Sequence, residues 1–156
     1  MSDEIVVFDK KFVDPEDFRN AIIYVESQLK EKPQVEIQTR HYFSNGMYAR
    51  EIFIPKGTVL TGAIHKTEHL CVMHGDLEIS SEFGNTRLTG YHMFSSSPGI
   101  KRIGYAHEDT YFTSLHPTDL TDVKELEQKL VCYSYDDYTE FLLEQEKTKF
   151  LKGDTL

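Results

Sequence analysis

Between Met47 and Pro117 the chain is cut into short β-prone runs by turn signals at close, regular spacing. The runs are rich in Ile, Val, Phe, Tyr and Thr. The breaks fall at Pro55-Lys56-Gly57, Gly62, His74-Gly75-Asp76, Phe83-Gly84-Asn85, Gly90, Pro98-Gly99 and His107-Glu108-Asp109. Branched and aromatic side chains suit a pleated, half-buried surface, whereas Gly, Pro, Asn and Asp interrupt it. Strands this short, with turns this regular, predict an all-β sandwich or barrel.

The flanks read differently. Asp14-Pro15-Glu16-Asp17 is a helix start, with a cap, Pro in the first turn and acids at the positive end of the dipole. Phe18, Ala21, Ile22, Val25 and Leu29 then recur at helical spacing until Pro33, a stripe that wants a partner on the body of the protein. A short strand is expected before this helix and another around Val35 and Ile37, followed by a tight turn at Ser44-Asn45-Gly46. Past Pro117, Val123, Leu126 and Leu130 share one helical face and Tyr138, Phe141 and Leu142 another; the polar end from Lys147 to Leu156 is expected to fray. The division is a strand-helix-strand flank at 1–46, a barrel core at 47–118 and a helical extension at 119–156, all within one domain.

A chain of 156 residues is long enough to bury a core without staples. Its net charge of −9 argues against general nucleic-acid binding and against docking on anionic membranes. That acidity is uneven. Residues 47–117 carry 6 basic and 7 acidic side chains, net −1, so the excess belongs to the flanks, and a small anion in the barrel is not disfavoured. Cys71 and Cys132 form no CxxC pair, and Cys71 sits in an apolar run, which fits buried thiols in a reducing cytosol. No run approaches a membrane span. The start, MSDEIVVFDKK, lacks the basic opening and long apolar region of a signal peptide.

The chemistry is concentrated in histidine. His65, His69, His74, His107 and His116 all lie between Gly62 and Pro117. The densest stretch, His65-Lys66-Thr67-Glu68-His69, matches the HxxEH pattern of inverted zinc peptidases, but that motif needs a helix, and here strand-like runs flank it. On a strand, residues four apart share a face, so His65 and His69 can both point into a barrel with Thr67, leaving Lys66 and Glu68 outside. Such a pair suits a divalent transition metal, Zn, Fe, Mn, Ni or Cu, with His107 or His116 as a third donor. The alternative is a metal-free pocket in which both imidazoles are hydrogen-bonded. Glu68 is the carboxylate beside the cluster and the acid/base candidate by position.

The stretches GTVLTGAIHKTEHLCVMHGDLEI and SSSPGIKRIGYAHEDTYFTSLHPT, within residues 47 to 118, resemble the cupin superfamily. More narrowly, they are similar to small cupin-like proteins often encoded by bacteriophages. The resemblance implies a mainly β fold, a double-stranded β-helix (jelly-roll) barrel with N-terminal and C-terminal helical flanks and a pocket between its sheets. Aligned on the usual cupin motifs, His65 takes the second histidine, Ala63 stands at the first, His69 replaces the glutamate, Gly75 is the closing glycine, and Arg102 stands where the second motif supplies a histidine. One ligand is thus retained, one is exchanged for another competent donor, and two are lost.

An inward Arg102 would carry a fixed positive charge shaped for carboxylate or phosphate, with Lys101 as a second anion contact, unless a carboxylate of the chain pairs with it. The expectation is a cupin-fold protein that binds a small polar, anionic ligand, with or without a divalent metal. Alternatives are a non-catalytic phage protein that sequesters a host metabolite or nucleotide signal, and a structural or virion accessory. A homodimer or higher homo-oligomer is the expected assembly.

Overall fold

The computed structural model describes residues 15–153. The strand expected before the first helix and the Asp14 cap lie outside the described residues. The order of elements is α1 (Pro15–Lys30), β1 (Gln38–Ser44), β2 (Met47–Ile54), β3 (Val59–Thr61), β4 (Ile64–His65), β5 (His69–Ser81), β6 (Gly84–Ser96), β7 (Ile103–Pro117), α2 (Val123–Leu130), β8 (Val131–Cys132) and α3 (Tyr135–Leu151). The chain is mainly β, with antiparallel strands and helices at both ends, as the turn spacing predicts. No helix among the described residues is long and apolar enough to cross a membrane.

β7 organises the sheet. Its whole length runs beside β5, its second half beside β2 and its first residues beside β3, giving the order β1-β2-β7-β5-β6 with β3 also on β7. Alternation then sorts the side chains. Ile54, Cys71, Met73, Leu77, Ile79, Leu88, Phe94 and Ala106 meet in the interior, while Leu70, Tyr91, Met93 and Tyr111 stay exposed.

Three expected breaks are not turns. His74-Gly75-Asp76, Gly90 and His107-Glu108-Asp109 lie inside β5, β6 and β7, each 13 to 15 residues long. The pairing of β5 with β7 shifts register between His74 and Leu77, so the polar, glycine-bearing stretch marks a bulge where two long strands bend together. The apparent hairpin tip at 107–109 is polar because its side chains pair at the rim. His107 Nε2 lies 3.0 Å from Glu78 Oε1, Glu108 meets Lys56 at 3.1 Å, and Asp109 accepts the Lys56 amide. The strand expected around Val35 and Ile37 begins only at Gln38, then pairs residue for residue with β2 through the turn at Asn45-Gly46. The sheet thus starts ahead of Met47.

The flanks dock by their predicted faces. On α1, Ile22 is buried and Phe18, Val25 and Leu29 are half-buried, whereas Ala21 is exposed. α2, capped by Asp122 on the Glu125 amide, buries Leu126 and Leu130 against Tyr48. α3 half-buries Tyr138 and Phe141 but leaves Leu142 exposed, and it continues to Leu151 rather than fraying at Lys147. Lys149 in the last turn faces the negative end of the dipole.

Lys101 is 3% exposed and forms an ion pair with Glu26 of α1 at 2.7 Å, while its Nζ donates to the Gly62 carbonyl at 3.0 Å. It therefore ties α1 to the barrel wall. Glu26→Gln is expected to destabilise the fold by about 2–3 kcal/mol, because it strands a buried ammonium. Lys101→Met is expected to cost less, since Glu26 can turn to water. Urea unfolding of both variants checks the order, and the reverse order would contradict it.

Candidate metal centre

His65 is delivered by a strand only two residues long. β4 pairs with β8, so His65 stands opposite Val131 of the C-terminal extension. The His65 carbonyl accepts from the Gly99 amide at 2.9 Å, and the next amide, Lys66, donates to Leu130 O at 2.7 Å. The Lys66 side chain then reaches Gln128 O at 2.7 Å and lies over the Phe141 ring. The residues between the two histidines are a bend at Lys66 and Thr67 and an irregular Glu68 rather than strand. His69 opens β5, and His116 lies near the end of β7 beside Tyr48 of β2.

These three imidazoles converge. Ring centroids are 4.2 Å apart for His65 and His69, 4.6 Å for His69 and His116, and 5.2 Å for His65 and His116. One nitrogen from each can be chosen so that all lie within 4.8 Å of one another. His69 Nδ1 lies 3.0 Å from the Thr67 carbonyl, so it carries the proton and leaves the Nε2 lone pair free. His116 is 2% exposed, and its Nδ1 is buried without a hydrogen-bond partner.

Burial holds all three neutral, which is the ligating form. It lowers His65 to about 2, helped by His69, His116, Arg102 and Arg50. It lowers His116 to about 4, with His69 adding to the effect. His69 is also lowered by burial and by Arg102, against the Thr67 hydrogen bond and Glu68, which act the other way. A histidine in the unfolded chain takes its proton near 6.5. Below that value the unfolded state binds more protons than the fold does. The stability contributed by each neutral ring is therefore complete above about pH 6.5 and declines with acidity by about 1.4 kcal/mol per pH unit. Urea midpoints of chelator-treated protein at about pH 7.5 and 5.5 test this, and equal midpoints would contradict it.

The cluster sits where two cavities meet. A half-open inner chamber of about 110 Å³ is lined by the barrel strands, and a larger cavity of about 380 Å³ lies under α2. His69 and Arg102 line only the first, His116 only the second, and His65 both. Arg102 lines the inner chamber. Its Nη1 donates to Ser96 Oγ at 2.8 Å, and Ser96 pairs with His69 across β5 and β6.

The other candidates fall elsewhere. His107 is bonded to Glu78 and packs edge-on to Tyr105, so the third histidine of the cluster is His116. Glu68 and Thr67 are exposed and line neither chamber; Thr67 contributes its carbonyl instead. Lys101 is committed to Glu26 and Gly62. Tyr48 and His41, the latter lying before the segment that carries the other histidines, also approach the cluster. The Tyr48 ring stacks on His116 with centroids 6.4 Å apart, and its hydroxyl lies 2.7 Å from His41 Nδ1. Alternation of Tyr48, Arg50, Ile52 and Ile54 along β2 was the available signal.

No protein-family model matches the chain, and no curated protein sequence does. Among solved structures, it is similar to a cupin-2 domain-containing protein from Shewanella frigidimarina, at 16% identity and a TM-score of 0.43, covering 65% of this chain and 99% of that one. It is similar to KdgF from Halomonas sp., at 18% identity and 0.45, covering 55% and 84%. A cupin superfamily protein from Desulfitobacterium hafniense gives 9% identity and 0.45, covering 60% and 87%.

Proposed function

We propose that this chain holds a divalent transition metal with His65, His69 and His116 and offers its open coordination positions to a small anionic ligand in the barrel. The observation that carries the reading is the convergence of three neutral imidazoles, with one tautomer set by the Thr67 carbonyl and one buried nitrogen lacking a partner. Imidazole donors suit Zn, Fe, Ni and Cu, and three protein ligands leave room for a further one. When bound, the metal would supply Lewis acidity toward a ligand oxygen. The protein does the rest. Thr67 orients His69, Tyr48 packs on His116, and Arg102 lines the inner side beside them.

The test is metal content. Tag-free protein, stripped with chelator and dialysed against Zn, Mn, Fe, Ni or Cu salts, is expected to retain about one ion per chain by mass spectrometry and to melt at a higher temperature. No retention and no thermal shift with any of them would end the metal reading.

A second reading is capture without turnover. It is favoured by the exposure of Glu68 and by the lack, among the described residues, of any acidic side chain lining the inner chamber. That is the role suggested by the resemblance to phage-encoded proteins: sequestering a host metabolite. It is supported if anion binding persists without metal and no product accumulates.

A further inference from the structure

The sheet has a second face, turned away from the histidines. Strand register sets its side chains in three rows that run across the five strands β1-β2-β7-β5-β6. Leu115 stands beside Leu70 in the first row, Val72 beside Met93 in the second, and Phe53 beside Tyr111 in the third. None of the fifteen positions, three rows of five, is buried. Tyr91, Met93, Leu70 and Tyr111 are 63%, 53%, 44% and 44% exposed. Beyond the bulge at Gly75 the same face turns polar and satisfies itself, with Arg87 donating to Asp76 at 2.7 Å and His107 lying 3.0 Å from Glu78. The apolar half can be satisfied only by a covering surface, and none of the described residues supplies one.

Five strands about 4.8 Å apart, with rows about 6.8 Å apart, make a platform of roughly 24 by 20 Å, about 500 Å² in plan. That is at the upper end of the largest apolar patch on an ordinary monomer. Met47 and Pro117, paired and exposed in the next row, extend it toward the about 800 Å² that each partner brings to a standard interface. Charge points to the occupant. The chain carries a net charge of −9, so two copies repel across most of their surface. On this face the only Lys, Arg, Asp or Glu side chains among the fifteen positions are Arg40 and Glu51, 4.0 Å apart and opposite in sign. Two copies can therefore meet here without opposing like charges, and a two-fold axis makes one such patch the complement of itself. We propose that this apolar outer face, centred on Val72 and Tyr111, is the interface of a homodimer packed sheet on sheet. The proposed metal centre lies on the opposite face of the same strands, so the two proposals fail separately.

The experiment is sedimentation velocity of the full chain from about 1 to 100 μM. The expected result is a species of twice the chain mass. Tyr91→Lys combined with Met93→Lys is expected to weaken the dimer by at least about 100-fold, because both put a charge into an apolar contact. Both side chains are exposed on β6, at one edge of the sheet, so the fold should survive, and a thermal melt checks it. Tyr111→Lys gives the same reading from β7 if the pair fails to fold. Leu143→Lys, at a residue 60% exposed on α3, should leave the dimer unchanged. Raising salt from about 0.1 to 1 M should not weaken it, since apolar contacts are not screened. A wild-type monomer at about 100 μM, a dimer that persists in the folded lysine variants, loss of the dimer in Leu143→Lys, or dissociation by salt would each overturn the proposal. A monomer that dimerises only when residues 1–14 are removed would assign the face to the start of the chain itself, and would overturn it as well.

Discussion

Replacing His116 with alanine is expected to reduce metal retention more than replacing His107, although the two were equivalent candidates by sequence. His116 is buried with its ring 4.6 Å from His69 and 5.2 Å from His65. His107 is occupied by Glu78 at the barrel rim. Loss of one of three imidazoles is expected to weaken binding by at least about 100-fold, beyond the 10- to 100-fold typical of losing a supporting partner. His107→Ala is expected to leave metal content unchanged. His69→Ala should behave like His116→Ala. Competition against a chromophoric chelator reads all three, and retention of tight binding in His116→Ala would remove His116 from the centre. The fold is expected to survive, because each replacement takes away a buried polar ring rather than an aliphatic contact of the core.

The largest effect on stability is expected at Gly75. Its φ of +148° lies in a region that side chains avoid, at the bulge that bends β5 against β7. A Cβ there would run into Thr110 Oγ1 and would come within 2.7 Å of both Asp109 O and Thr110 Cα. Backbone cannot step aside as a flexible side-chain tip can. Thr110 is itself fully buried, and its hydroxyl accepts the Asp76 amide. Gly75→Ala is therefore expected to cost about 3–4 kcal/mol, from overpacking and backbone strain together. Gly90 provides the comparison. It also has a positive φ, +82°, but a Cβ there meets nothing within 4 Å. Gly90→Ala is expected to cost about 1–2 kcal/mol, the conformational penalty alone. Equal unfolding free energies for the two variants would show that the clash at Gly75 is relieved by movement.

The site divides along similar lines. That His65 and His69 lie close together could be read from their spacing, whereas an inward Arg102 was implied only by the resemblance to the second cupin motif. The choice of His116 over His107 could not be made locally, since it depends on where β7 bends relative to β2 and β5. Nor could the anion contact at Lys101 be told from an ion pair, because Glu26 lies on a helix 75 residues earlier in the chain. Glu68 looked catalytic because it is adjacent in sequence. The bend at Lys66 and Thr67 leaves it in solvent while the Thr67 carbonyl takes the hydrogen bond from His69. The long strands were mistaken for shorter ones for a related reason. Glycine and clustered polar residues mark both turns and bulges, and only the partner strand distinguishes them.

By itself, the amino-acid sequence determined the class of fold, the helical faces that dock on it and the stretch of chain that carries the histidines. Alternation, helical period and turn chemistry act over a few residues and need no partner. Tertiary structure alone decided which imidazoles meet, which cation faces the chamber and which chemistry its walls present. His65 is anchored to Val131, His69 stands opposite Ser96, and His116 stacks on Tyr48. Those contacts join segments tens of residues apart, and the pairing and bending of long strands, not the local pattern, bring them together.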